Sequence, residues 1–258
     1  LWIGARTTVN PFSVQEIADA LKGVEIPVMI KNPINADLAL WMGAFERFSN
    51  VGLNKLIGIH RGFSSYEKTK FRNPPNWKIP IELKRRCPDL PIICDPSHIG
   101  GSRDLIEEIC QKAMDVDFNG VMVETHCDPS VALSDAAQQV TPDTLNTILT
   151  NIELRSKTST DDGFEEALDQ LRSKINRIDA EIVEALAQRI NVSTQIGEVK
   201  FKSGVQPLQL NRMSQLMDDR IKLGAEFGLG EKYIKDIYET VHTESLKIQT
   251  ELMKNGKL

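Results

Sequence analysis

The stretch Leu90-Pro-Ile-Ile-Cys-Asp-Pro-Ser-His98 decides the fold of the first half of the chain. A short apolar run without period-2 alternation gives way at once to an acid, a proline and an imidazole. Such a run, with no polar face of its own, reads as a parallel strand buried on both sides. Four more runs share the form: Leu1-Trp-Ile-Gly-Ala5, Ile26-Pro-Val-Met-Ile30, Leu56-Ile-Gly-Ile59 and Gly120-Val-Met-Val123. Helical patterns lie between them, among them Ser13 to Leu21, Ala36 to Phe48 and Ser102 to Met114. In the second of these, Leu38, Met42 and Phe45 share one side. The alternation predicts right-handed βαβ units and a parallel sheet over residues 1–154.

The character then changes. Arg155-Ser-Lys-Thr-Ser-Thr-Asp-Asp-Gly163 has no large apolar side chain and reads as a linker. From Phe164 to Phe201 the pattern is helical, with Leu168, Leu171, Ile175, Ile178, Ile182, Leu186 and Ile190 three or four residues apart. A shorter helix is expected from Leu210 to Leu223, with Gly224 and Gly228 as stops, and a third from Glu231 to Met253. Residues 164–258 therefore form an all-α module behind an α/β one.

Composition narrows the function classes. Of 258 residues, 41% are hydrophobic and 26% charged, which excludes a disordered, collagenous or disulfide-stapled chain. No apolar run reaches the ~20 residues of a membrane span. The net charge of −5 is spread among interspersed basic and acidic residues, so no nucleic-acid surface is expected. Cys87, Cys94, Cys110 and Cys127 lack CxxC or zinc-ligand spacing and read as reduced thiols of a cytoplasmic protein. The first residue is Leu, so the sequence is expected to start inside a longer protein.

Each of the five strands ends in polar chemistry: Arg6, Lys31-Asn-Pro33, His60-Arg-Gly62, Asp95-Pro-Ser-His98 and Glu124-Thr-His-Cys-Asp128. Ligands of parallel α/β folds bind at the C-terminal strand ends. One such residue alone reads as a solvated charge, but solvation does not explain five in one register. Arg6, Lys31 and Arg61 suit a small anion carrying phosphate and carboxylate. His98, Glu124 and Asp135 offer a mixed imidazole and carboxylate set suited to a divalent metal.

These motifs, with Ile3-Gly-Ala-Arg6, Gly58-Ile-His-Arg-Gly-Phe63, Val123-Glu-Thr-His-Cys-Asp-Pro129 and Leu133-Ser-Asp135, resemble type I-beta 3-deoxy-D-arabino-heptulosonate 7-phosphate (DAHP) synthase over roughly 1–150. The resemblance implies a (β/α)8 barrel that condenses phosphoenolpyruvate with erythrose 4-phosphate. It implies that Arg6, Lys31 and Arg61 hold phosphoenolpyruvate and that Asp95 lies beside the sugar phosphate, with Lys31 also catalytic. His98, Glu124 and Asp135 would ligate a divalent ion of the Mn, Fe, Co or Zn class. A barrel of this kind needs about 250 residues, and only about five of its eight βα units are present. The family's fourth metal ligand, a Cys, and its Lys-Pro-Arg-Thr loop for erythrose 4-phosphate belong to the part not represented. A molecule beginning at Leu1 is expected to leave the barrel open and without synthase activity.

In the second module, the 17-residue step from Arg172 to Arg189 turns about −20° and the 11-residue step to Lys200 about +20°, so the three share one stripe. The Leu168–Ile182 apolar positions crowd the same side, so the cations border the packed face and call for a polyanionic ligand. Arg172 and Arg189 are about 25 Å apart along the axis, Arg189 and Lys200 about 16 Å. Arg172 can join the site only from a second, antiparallel copy, which predicts a two-fold homodimer.

Leu171-Arg-Ser-Lys-Ile-Asn-Arg-Ile-Asp179, Leu186-Ala-Gln-Arg189, Gly197-Glu-Val-Lys200, Arg212 and Glu244-Ser-Leu-Lys-Ile-Gln249 resemble an all-helical chorismate mutase over roughly 165–253. The resemblance implies that Arg172, Arg189 and Arg212 position two carboxylates, that Lys200 and Gln249 donate to the ether oxygen, and that Ser245 is nearby. No cofactor is implied for this module. Gln209 and Met213 stand where the bacterial family often carries acids that contact the substrate hydroxyl; Gln209 keeps hydrogen-bonding capacity and Met213 does not.

The sequence thus reads as a DAHP synthase barrel (1–154), a linker (155–163) and a chorismate mutase (164–258). The expected partners are phosphoenolpyruvate, erythrose 4-phosphate, chorismate and prephenate, with feedback inhibition of the synthase by chorismate or prephenate. The rival reading is an inactive barrel remnant with a non-catalytic helical module that senses ligand and dimerises.

Overall fold

The computed structural model describes residues 1–66, 68–156, 158–161 and 163–255. The chain divides into two compact units, Leu1–Lys157 and Thr158–Leu258. In the first, β1 (Trp2–Ile3), α1 (Ala5–Thr8) and α2 (Pro11–Ala20) are followed by β2 (Val28–Lys31) and α3 (Leu38–Asn50). Then come β3 (Leu56–His60), α4 (Lys78–Arg86), β4 (Ile92–Cys94), α5 (Pro96–Gly100), α6 (Ile106–Asp115), β5 (Gly120–Val121) and α7 (Pro142–Asn151). All pairings are parallel and the strand order is β1-β2-β3-β4-β5. The order never reverses, as it would in a doubly wound sheet. Right-handed crossovers that always step the same way make this sheet an arc of a barrel.

The core lies on the helix side of the arc. Val28, Ile30, Ile92 and Cys94 point there and meet Val14, Ala18, Trp41, Phe48, Leu83 and Ile109, all buried. Trp41 fixes the spacing of α3: its indole Nε1 donates to the Ile30 carbonyl at 3.1 Å while its ring fills the core. A side chain at Gly58 would meet that ring at 3.3 Å, which explains a glycine in mid-strand. Several helix starts are capped by the residue just before them. Asn10 accepts from Phe12 and Ser13, Asp37 from Leu40 and Thr141 from Thr144.

The opposite face departs from expectation. Met29, Ile57 and Ile93 are only half-buried, so the strands are not fully covered on both sides. Their apolar character suits a barrel interior, but within this unit that face is incompletely lined. Sequence periodicity also passed over α4 and α7, which bury little apolar surface (Pro80 and Leu83 in one, Ile148 in the other).

The second unit comprises α8 (Phe164–Lys202), α9 (Leu210–Glu226) and α10 (Glu231–Asn255), with no strand among the described residues. Contacts between α8 and α10 advance together along both helices, Arg189 with Ser245, Ser193 with Gln249 and Gly197 with Leu252, so the two run parallel. Two expectations are corrected. Gly224 does not stop α9; it lies buried inside it, where an added Cβ would fall 2.5 Å from Ile234 Cγ1. The turn comes later, at Gly228, whose φ of 73° is left-handed. The apolar stripe of α8 is also not packed within one chain: Leu171, Ile175, Ile178 and Ile182 are 50–57% exposed.

Gly224→Val is expected to destabilise the helical unit by about 1–3 kcal/mol through overpacking against Ile234. Urea unfolding followed by far-ultraviolet circular dichroism checks this. All three tryptophans (Trp2, Trp41, Trp77) lie in the first unit, so the fluorescence transition should not move.

Candidate functional site

The first candidate site gathers where the strands end. The Asp95 carboxylate is 1% exposed and ends β4. Lys31, at the end of β2, donates to its Oδ2 at 2.8 Å. One turn along α5, the His98 backbone N–H donates to Oδ1 at 3.1 Å, and the His98 ring Nδ1 lies 2.9 Å from Oδ2. Burial raises the Asp95 pKa, but His98 and Lys31 outweigh it and leave the carboxyl below its ordinary value. With Nδ1 engaged, the imidazole keeps Nε2 for another partner.

Arg61 follows β3. Its backbone N–H donates to Asn32 Oδ1 at 2.7 Å and its guanidinium to Asn73 Oδ1 at 2.8 Å. Burial pushes the Arg61 pKa down, Asp95 pulls it up, and Arg72 and Arg6 push it down again. Four cationic side chains, counting Lys31, therefore crowd one rim. Arg6 lies exposed in the short helix α1, one residue beyond the expected strand end.

His98, Glu124 and Asp135 bring one donor atom each within 4.8 Å of one another. One imidazole and two carboxylates form a donor set that fits a first-row divalent cation. Asp135 holds its place with a left-handed φ of 48°. Arg72 Nη1 donates to Asp135 Oδ1 and to Gln138 Oε1, both at 2.8 Å, and Gln138 Nε2 donates to Glu124 Oε2 at 2.8 Å. Sequence reasoning missed Arg72, Asn73 and Gln138, because no pattern marks a loop arginine that reaches an aspartate 63 residues away.

His60 lies in the Gly58-Ile-His-Arg-Gly-Phe63 motif. It is fully buried among Phe63, Trp77 and Phe118, with ring centroids 5.2–6.0 Å away. Neither ring nitrogen finds a hydrogen-bond partner among the described residues. Burial lowers its pKa to about 3, against an opposing pull from the Pro75 backbone.

The second candidate site is a cavity of about 550 Å³ in the helical unit. Arg189, Lys200, Gln209, Arg212, Met213, Ser245 and Gln249 all line it, with Arg220 and His242, which sequence reasoning missed. Arg189 Nη1 donates to Ser245 Oγ at 2.5 Å and to the Val241 carbonyl at 3.2 Å. Lys200 Nζ donates to the Pro207 carbonyl at 2.5 Å and to Gln249 Oε1 at 3.3 Å. Gln249 Nε2 in turn donates to Ser193 Oγ at 3.1 Å. Burial lowers the Lys200 pKa. Arg172 is not in this cavity; it lies exposed along α8, paired with Asp169 at 3.2 Å.

Comparison with known proteins gives the following. Residues 1–160 match the DAHP synthetase I family and residues 171–250 match chorismate mutase type II. A phospho-2-dehydro-3-deoxyheptonate aldolase of Thermotoga maritima is 34% identical over 138 residues, covering 54% of this chain and 39% of that protein. A 4-amino-4-deoxychorismate mutase of Streptomyces pristinaespiralis is 27% identical over 89 residues, covering 34% of this chain and 69% of that protein. A truncated 3-deoxy-D-arabino-heptulosonate 7-phosphate synthase structure from Thermotoga maritima superposes with a TM-score of 0.51 at 30% identity, covering 58% of this chain and 55% of that one. The chain thus spans well under two thirds of either Thermotoga relative.

The buried His60 makes stability pH-dependent. Its folded pKa of about 3 lies below the ordinary 6.5, so between those values the unfolded chain binds the extra proton and stability falls with pH. From pH 7 to pH 5 this group alone is expected to remove about 2 kcal/mol from the first unit. His60→Leu should flatten that difference in urea melts followed by tryptophan fluorescence.

Proposed function

The chain belongs to the DAHP synthetase I family and carries a chorismate mutase type II domain; on that premise we propose a bifunctional enzyme of aromatic biosynthesis. Residues 1–154 form the synthase portion, 155–163 a linker and 164–258 the mutase. The observation that carries the mutase assignment is the spare hydrogen-bonding capacity of Lys200 and Gln249. The ammonium has three protons and uses two, on Pro207 and Gln249; the amide has two and uses one, on Ser193. Each keeps one N–H for a ligand in the same cavity.

Conversion of chorismate to prephenate is a unimolecular pericyclic shift and needs no nucleophile or base. It needs a compact conformer and donors at the ether oxygen, where negative charge grows as the C–O bond breaks. Lys200 and Gln249 supply those donors, while Arg189 and Arg212 hold the carboxylates, with Ser245 and Gln209 beside them. A second copy completes the site with Arg172, and the half-exposed stripe from Leu171 to Leu186 supports an antiparallel partner helix.

In the synthase portion, Arg6, Lys31 and Arg61 neutralise phosphoenolpyruvate, and Asp95 holds Lys31 in place and faces the sugar phosphate of erythrose 4-phosphate. His98, Glu124 and Asp135 would hold a divalent cation, which when bound supplies Lewis-acid polarisation of a carbonyl. Feedback inhibition by chorismate or prephenate belongs to the same proposal, since an early and a late activity share one chain; equal synthase rates with and without prephenate in a full-length protein would exclude it. No described helix is long and apolar enough to cross a membrane, and all four cysteines are free, which suits a cytoplasmic enzyme.

Lys200→Ala is expected to lower chorismate consumption ~10²–10³-fold, followed by ultraviolet absorbance. Turnover unchanged by that variant, or absent from the parent chain, supports the non-catalytic ligand-binding module instead. Calorimetric titration with Mn²⁺ should show one site per chain, and His98→Ala should weaken it ~10-fold or more.

A further inference from the structure

We infer, resting on the mutase reading above, that the helical cavity selects a ligand whose charges are all negative, two carboxylates beside a neutral hydroxyl. It excludes the analogue in which an ammonium group replaces that hydroxyl. The selection rests on the sign of the side chains that one chain brings to the cavity. Arg189 and Lys200 enter from α8, and Arg212 and Arg220 from α9. Among the described residues, none of those lining it is Asp or Glu. Nor does any of the four cations form an ion pair among those residues. Arg189 and Lys200 donate to neutral oxygens, and Arg220 lies over the Tyr238 ring at 5.8 Å.

Four unpaired cations in a partly desolvated space leave a dianion as the natural counter-charge. An ammonium group placed anywhere within it finds repulsion and no carboxylate, and such repulsion strengthens as water is excluded.

The hydroxyl has a partner of the right kind. His242 on α10 faces the cavity with its Nε2 buried and without a hydrogen-bond partner among the described residues. Burial lowers its pKa, and Arg189 and Lys200 lower it further, so the ring stays neutral. A neutral imidazole nitrogen can give or take one hydrogen bond with a hydroxyl, but brings no charge to balance an amine. The other groups on the wall are the cations already named and neutral side chains, so nothing there opposes this state.

The test uses the whole chain with chorismate and its analogue bearing an amino group in place of the ring hydroxyl, at pH 7. Binding by calorimetry and turnover by absorbance are measured separately for each. Chorismate is expected to bind at least ~10-fold tighter. Met213→Glu, or Gln209→Glu, sets one carboxylate on the wall and should shift the affinity ratio ~10-fold toward the amino compound. His242→Leu should weaken chorismate ~5-fold and leave the amino compound unaffected. Equal affinities, preference for the amino compound, or a ratio unmoved by both carboxylate variants overturn the selection. A His242→Leu that weakens both compounds equally removes His242 from it. Absent turnover with the binding ratio intact defeats only the mutase reading; binding of neither compound defeats both.

Discussion

A buried carboxylate organises the first unit. Left alone at 1% exposure, the Asp95 charge would cost several kcal/mol in lost hydration. Three groups offset that cost, and each belongs to a part of the chain that must then hold its position: Lys31 from β2, the His98 ring, and the backbone N–H that opens α5. The strand ends are locked together as a result. The imidazole is fixed with one nitrogen engaged and the other turned away, which is the arrangement a metal-binding histidine needs. Structural and functional demands on Asp95 therefore coincide.

The helical unit inverts this balance. Here cations gather and, among the described residues, meet only neutral acceptors: two carbonyls, a serine hydroxyl and a glutamine amide. Such a site is tenable because its charges remain near solvent until a ligand arrives. Arg189 and Lys200 are held by hydrogen bonds short of saturation. That shortage of anions among the described lining residues is what the proposed dicarboxylate ligand would offset.

Much of this was legible in the sequence, for identifiable reasons. The five strands stand out because a parallel strand facing helices is apolar without interruption. The long α8 stands out because Leu168 to Ile190 keep helical spacing for six turns. What escaped notice depended on tertiary contact. The pattern that marked Met29, Ile57 and Ile93 as buried on both sides could not show which face the rest of the unit covers. Gly224 was read as a stop because glycine in a helix is usually a cost, whereas here the missing Cβ admits Ile234. Arg72 and Gln138 act only because the loop after β3 folds back to Asp135 and Glu124, and His242 looks like any polar residue on an amphipathic helix until α8 and α9 surround it. The charge of the strand ends could be read one residue at a time; the absence of an acid among the described residues lining the helical cavity could not.

The proposed pericyclic rearrangement asks little of side-chain reactivity and much of side-chain placement, and the packing of α8 on α10 bears on that placement. Ser193 and Gly197, one turn apart, are the two buried positions of α8. A Cβ at Gly197 would stand 3.0 Å from both Gln249 Cγ and Leu252 Cδ1. The glycine therefore sets how closely the two helices approach, and that approach lets Lys200 and Gln249 reach one another at 3.3 Å. Any larger residue would push α10 outward by tenths of an ångström, separating the two donors that the proposed mutase mechanism brings to a single oxygen. On this view the residue with no side chain governs the geometry of the two that carry the chemistry.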